Sequence, residues 1–289
     1  MIARGPRPNA GTRAQYQKSL IAMVEEMRDS VLWWLGARYR AREDEIVAED
    51  ASPSRELDKE LRDLIKQWGR NFGGLAEARA RWLARRVNAN ATNQLRASMQ
   101  NVGLTVMFRN SRRTNNILQA VVTGNISLIK SIPAQFLAQA HSITMQSVLA
   151  GRDMGFISKE IHELFGKSKR RAIVIARDQT NKATEAISRA RAADIGITHG
   201  IWMHRSGSKV PRETHQAMDG KRFKLSEGLY DPEEGRNVLP AELINCHCSY
   251  DYDLSTIGAA EDVAMDSRHG VLSYIFPAAT IKRWLCKIA

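Results

Sequence analysis

The sequence predicts an α+β protein: a mainly α-helical N-terminal region followed by a small α+β module. Two observations carry this. Up to Gly196, apolar residues recur at three- and four-residue spacings, the period of a helix face. Beyond Gly196 the pattern changes to short alternating stretches separated by glycine, proline and other turn residues, the grammar of strands.

The opening "MIARGPRPNAGTRAQYQKS" is basic and has no apolar h-region, so residues 1–18 read as a flexible basic arm and not as a secretory signal. A helical region is expected over 19–160. In its first helix Leu20, Met23, Val24, Met27, Val31, Trp34 and Leu35 share one face, and Trp33 and Trp34 are expected on that packed stripe. Turn residues in "AEDASPSRELD" separate it from a second helix carrying Leu57, Leu61, Leu64, Ile65 and Trp68, with Ser54 as a cap. The double glycine Gly73–Gly74 predicts a break before a third helix. Gly151 and Gly155 mark a turn, with Ser158 capping the helix beyond it. "SKRRAIVIARDQTNKATEAISRARAADIGI" is a long helix closed by Gly196, where a left-handed C-cap favours glycine. The module is expected over 161–255, and a C-terminal tail over 256–289.

The 289 residues carry 43 Lys+Arg against 31 Asp+Glu, a formal net charge of +12. Such a chain is drawn to polyanions without reading their sequence; a solubilising charge excess is the plainer reading of the same balance. Arginine predominates, and its planar fork suits phosphate. Arg79, Arg81, Arg85 and Arg86 on a helix, with Arg109, Arg112 and Arg113 in a turn-like stretch, are the candidate DNA-contacting residues. Taken singly, each reads more simply as part of a solvated face. Their scatter fits sequence-independent contact with the backbone of double-stranded DNA, and no helix-turn-helix pattern stands beside them. No run approaches the roughly twenty apolar residues of a membrane span, so no membrane partner is expected. Three cysteines make no even disulfide framework, which fits synthesis in a reducing cytoplasm.

Chemistry concentrates in "VPRETHQAMDGK" and "INCHCSYDYD". If the second stretch is a strand, Cys246 and Cys248 share a face and His247 points away. With His215 they form a soft ligand set suited to zinc. Buried thiols with a packing role, and redox chemistry, are the alternatives. A fourth ligand is not obvious, although His204 and Asp219 lie within sequence reach. The expectation is therefore no cofactor, or zinc, with packing favoured. Cys286 reads as incidental. Trp202 is expected to pack its strand on the long helix, and Tyr250 and Tyr252 to extend the cysteine face.

These residues also resemble a family. The order Arg177, Thr180, Glu185, Gly196, Trp202, Arg212, His215, Gly220, Pro240, Cys246, Cys248 is similar to the C-terminal module of phage Mu F-type minor head proteins, the phage head-morphogenesis family. The resemblance covers roughly residues 165–253. Two features depart from the family pattern: no acidic residue precedes the Arg-x-x-His segment, and His247 stands where an arginine is usual between the cysteines. The resemblance implies a minor capsid protein acting in head assembly or in DNA packaging and ejection. It implies contacts with the portal protein, other head proteins and packaged DNA, and a place in the capsid interior near the portal.

No enzyme is expected. His215 beside Cys246 or Cys248 could form a nucleophile–base pair. Phosphate-binding glycine loops, the GxSxG elbow and HExxH are all missing. A nucleic-acid-binding protein outside the virion, or a metal-dependent or thiol enzyme, is the alternative reading.

Overall fold

The computed structural model describes residues 1–43, 53–108, 111–150, 154–205, 211–256 and 275–277. In chain order the elements are β1 (Ile2–Ala3), α1 (Ala10–Glu43), α2 (Pro53–Asn101), β2 (Leu104–Val106), α3 (Arg112–Leu149), α4 (Met154–Asp194), β3 (His199–Met203), α5 (Glu213–Ala217), β4 (Arg222–Lys224), β5 (Leu229–Asp231), β6 (Arg236–Val238), β7 (Ser249–Asp253) and β8 (Ile275–Pro277). The α+β class holds. The chain divides into two compact units, one of residues 1–13, 82–121 and 177–289, the other of residues 14–81 and 122–176.

The second unit is built from segments of α1 to α4. Along α1, Leu20, Met23, Val24, Met27, Val31 and Leu35 are buried, as the spacing predicts. Trp33 is 72% exposed, because one residue away from Trp34 turns it out of the stripe. Leu57, Leu61, Trp68 and Phe72 of α2 and Ile129, Ile132, Phe136 and Leu137 of α3 complete the core. Polar pairs fix it: Tyr16 Oη donates to Asn125 at 2.8 Å, and Trp68 Nε1 to Ser30 at 3.1 Å. The expected break at Gly73–Gly74 is absent, since α2 runs through both. A glycine costs a helix only about 1 kcal/mol, less than the burial of neighbours such as Phe72 and Ala76 returns. Gly155 and Ser158 likewise lie inside α4, whereas Gly151 and the Ser54 side chain lie outside what is described.

Helix α3 corrects another expectation. By length and composition it could cross a membrane.

The first unit holds an antiparallel sheet of order β1-β7-β3-β4, and two-stranded ladders β2-β8 and β5-β6. The flexible arm expected over 1–18 is instead a strand followed by the first turns of α1. Ile2 and Ala3 pair with Asp253 and Tyr252, and the Leu254 N–H donates to the Met1 carbonyl at 2.9 Å. Gly5 continues this seam: its N–H donates to Asp251 Oδ1 at 2.8 Å, and a Cβ there would lie 1.6 Å from the Tyr250 carbonyl oxygen.

Helix α4 ends as predicted. Gly196 has φ +81°, and the N–H groups of Ile197 and Gly196 donate to the carbonyls of Ala192 and Ala193. The core beneath the sheet joins Trp202, Phe223, Tyr250, Tyr252, Cys246 and Cys248 to Leu95 and Met99 of α2 and to Ala3. The apolar face of the module expected over 161–255 is completed by residues far upstream. Of the tail expected over 256–289, β8 is described, paired antiparallel with β2. Cys286 lies outside the described residues.

Asp253 tests this sheet edge. Burial opposes its charge, but hydrogen bonds donated by Arg222 and by the Ser255 N–H overcome that and hold its pKa down at about 2. The resulting stabilisation is complete above the ordinary carboxylate range and is lost as pH falls through about 2. Because Arg222 is half exposed, it should amount to no more than about 2 kcal/mol. Urea titrations of wild type and Asp253→Asn should show a deficit at pH 6 that shrinks between about pH 4 and pH 2. A deficit independent of pH would remove the ion pair as its cause.

Candidate functional site

The site is a loop held by a helix. Arg177 and Asp178 are neighbours on α4, and both reach Asn245. Arg177 Nη2 donates to Asn245 Oδ1 at 2.8 Å, and the Asn245 N–H donates to Asp178 Oδ1 at 2.9 Å. Asn245 has φ 59°, a left-handed conformation that asparagine tolerates better than most residues. Arg212 adds long contacts of 3.3 and 3.4 Å to the Ile244 carbonyl. So clamped, the chain turns and presents Cys246 and Cys248 inward from a loop that precedes β7. The strand expected through the cysteines begins only at Ser249, after a turn closed by the Cys246 N–H on the Leu243 carbonyl at 3.1 Å.

His215, on α5, meets both thiols. Its Nδ1 lies 3.4 Å from Cys246 Sγ and 3.7 Å from Cys248 Sγ, and the three ligand atoms fall within 4.8 Å of one another. All three side chains are buried. The other ring nitrogen, Nε2, stands 3.2 Å from Asp231 Oδ2 without the alignment of a hydrogen bond. Asp231 is fully buried on β5; it accepts from the Glu233 N–H at 2.9 Å and from Thr214 Oγ1 at 3.3 Å. His204, just past β3, brings Nδ1 to 3.6 Å from Cys248 Sγ, and its backbone N–H donates to Asp219 Oδ1 at 2.7 Å.

The electrostatics favour a thiolate. The Cys248 thiol, hydrogen-bonded to Cys246, holds the Cys246 pKa far below its ordinary value, with His215 adding to this against burial. Cys248 is pushed up by the same contact and by burial. Burial disfavours the charged form of His215, yet Cys246 and Asp231 keep its pKa above the ordinary value. Trp202 packs edge-on against the His215 ring, with centroids 5.4 Å apart.

The remaining motif residues have structural placements. Thr180 is buried on α4, and its carbonyl accepts from Thr184 Oγ1. Glu185 is 1% exposed; burial raises its pKa well above normal although Arg189 and Arg205 pull the other way. Gly220 has φ +74°, and its N–H donates to the Trp202 carbonyl at 2.9 Å. Pro240 stands in the turn before the cysteine loop.

The candidate DNA-contacting arginines among the described residues lie on two helices. Arg79, Arg81, Arg85 and Arg86 are exposed on α2, and Arg81 pairs with Glu77 at 2.7 Å. Arg112 and Arg113 are exposed in the first turn of α3, which Ser111 caps by accepting the Thr114 N–H at 3.0 Å. Arg109 lies outside the described residues.

Residues 138–250 match the family described as "Phage Mu protein F like protein". That part of the chain is similar to the phage Mu F family. The match contains every motif residue from Arg177 to Cys248 and starts within α3, upstream of the expected boundary. A curated protein of Haemophilus influenzae, itself described as uncharacterized, is 31% identical over 162 residues, or 56% of this chain and 34% of the relative. The chain thus spans about a third of the length of that relative. No solved structure matches it. The clamp around Asn245 lies inside the matched residues, and Arg177 is its one motif residue, with Asp178 beside it.

Asn245 gives a stability test. Asn245→Gly keeps the turn but removes the acceptor for Arg177, and should cost about 1–3 kcal/mol in urea unfolding. Asn245→Ala should cost about 1 kcal/mol more, from the left-handed backbone. Equal losses in both variants would show that the turn itself carries no strain.

Proposed function

We propose that this chain is a minor head-morphogenesis protein of a tailed bacteriophage. It is made in the host bacterial cytoplasm and built into the capsid interior near the portal. There it contacts portal protein, other head proteins and packaged double-stranded DNA, and acts in head assembly or in DNA packaging and ejection. The observation that carries this is the Mu F-like match over residues 138–250. The net charge of +12 and the exposed arginines of α2 and α3 support contact with a polyanion. Catalysis has no part in this reading.

Particle fractionation tests it. The chain should copurify with phage heads, and its deletion should reduce the yield of DNA-filled heads. Normal filled heads that lack the chain would overturn the proposal and favour a nucleic-acid-binding role outside the virion.

DNA binding has its own signature. Affinity for unrelated duplexes should be similar and fall steeply with salt. Replacing Arg85 and Arg86 together by alanine should reduce the log–log salt slope by about 1–2. A single preferred sequence with little salt dependence would refute non-specific backbone contact.

A further inference from the structure

We propose that His204, His215, Cys246 and Cys248 form a closed zinc site, with Asp231 facing the second ring nitrogen of His215. The inference rests on the cluster alone and does not depend on the role in phage heads.

The first argument is metric. A tetrahedral zinc with Zn–S of about 2.3 Å and Zn–N of about 2.0–2.1 Å separates neighbouring ligand atoms by about 3.5–3.8 Å. His215 Nδ1 stands 3.4 and 3.7 Å from the two sulfurs, and His204 Nδ1 stands 3.6 Å from Cys248 Sγ. Three of the four corners are already assembled. The half-buried His204 ring is in contact with the third and completes the set by a side-chain rotation. A cavity of about 20 Å³ opens between His204, His215, Cys246 and Cys248.

The second argument is chemical. Two thiolates and two neutral imidazoles suit zinc, and their charges cancel that of the ion. That balance matters where Arg205 and Arg212 border the cavity, and both are already engaged, Arg205 with Ser249 Oγ at 2.7 Å and Arg212 with the Ile244 carbonyl. Histidine ligands commonly direct their second nitrogen at a carboxylate. His215 Nε2 stands 3.2 Å from Oδ2 of the fully buried Asp231, close enough for a small rotation to align the two.

The third argument concerns connectivity. The ligands come from the end of β3, from α5 and from the loop before β7, segments joined by strands of three to five residues. Metal would tie together loops that backbone ladders leave unfixed.

The test uses the full-length chain purified under reducing conditions. Elemental analysis should find one zinc per chain. Metal-free protein titrated with Co²⁺ should show the intense visible bands of tetrahedral cobalt and a thiolate-to-cobalt band in the near ultraviolet. Cys246→Ser and Cys248→Ser should lose stoichiometric zinc. Asp231→Asn, which preserves shape, should weaken zinc affinity about 10–100-fold. His204→Ala should weaken it too and alter the cobalt spectrum, with circular dichroism confirming that both variants fold. Folded wild-type protein that binds neither zinc nor cobalt, or that shows only weak octahedral cobalt bands, would overturn the site. Unchanged affinity and spectrum in His204→Ala would overturn the four-ligand assignment.

Discussion

The cysteine loop depends on a two-point clamp. Asn245 is gripped by consecutive residues of one helix, Arg177 at its side-chain oxygen and Asp178 at its backbone N–H. With both contacts made, the residue is held in a left-handed turn, and the next three residues have little choice but to pass over His215. The position of the soft atoms therefore follows from α4, an element with regular hydrogen bonding along its length. Precision in a loop normally has to be imported from a rigid neighbour, and α4 supplies it here with two side chains. The same helix also buries Thr180 and Glu185, so the motif residues along it are spent on placement.

Much of the fold was legible where a single period governed the residues. The stripe from Leu20 to Leu35 and the C-cap at Gly196 are local patterns, and both stand in the structure. The errors came where a local signal met a tertiary one. Gly73–Gly74 weakens a helix locally, but burial on either side carries α2 through it. The N-terminal stretch has the composition of a loose arm, yet Gly5 lets it lie against Tyr250, and the edge of β7 supplies backbone partners. No window of sequence around residue 3 contains residue 252. The same reason hides the contribution of Leu95 and Met99 to the core beneath the sheet.

The site divides in the same way. His215, Cys246 and Cys248 could be named together because their residue types announce a shared chemistry, and the structure brings them within 4.8 Å. Their mode of presentation was misread: alternation suggested a strand, whereas a turn at Asn245 aims both sulfurs inward. Asp231 was not singled out at all. Its role needs the β5-β6 ladder to place it under the imidazole, and nothing in "GLYDPEEG" signals that beyond an aspartate before a proline. The family's usual acidic residue ahead of the Arg-x-x-His segment is missing from this chain. Asp231 puts a carboxylate beside the histidine from the other side of it in sequence.

Burial sets these thiols apart from the usual setting of a nucleophilic cysteine. A nucleophilic cysteine works from a partly exposed, electropositive setting with room for substrate. Cys246 and Cys248 are 4% and 3% exposed, and the space beside them is about the size of one water molecule. A buried thiolate without a compensating cation is costly. Arg205 and Arg212 border the cavity, hydrogen-bonded to Ser249 Oγ and the Ile244 carbonyl, but neither guanidinium reaches a sulfur directly among the contacts described. A zinc ion bound by both sulfurs, as proposed, would place positive charge directly on the thiolates, and one also enclosed by two histidines would have no open position left for chemistry.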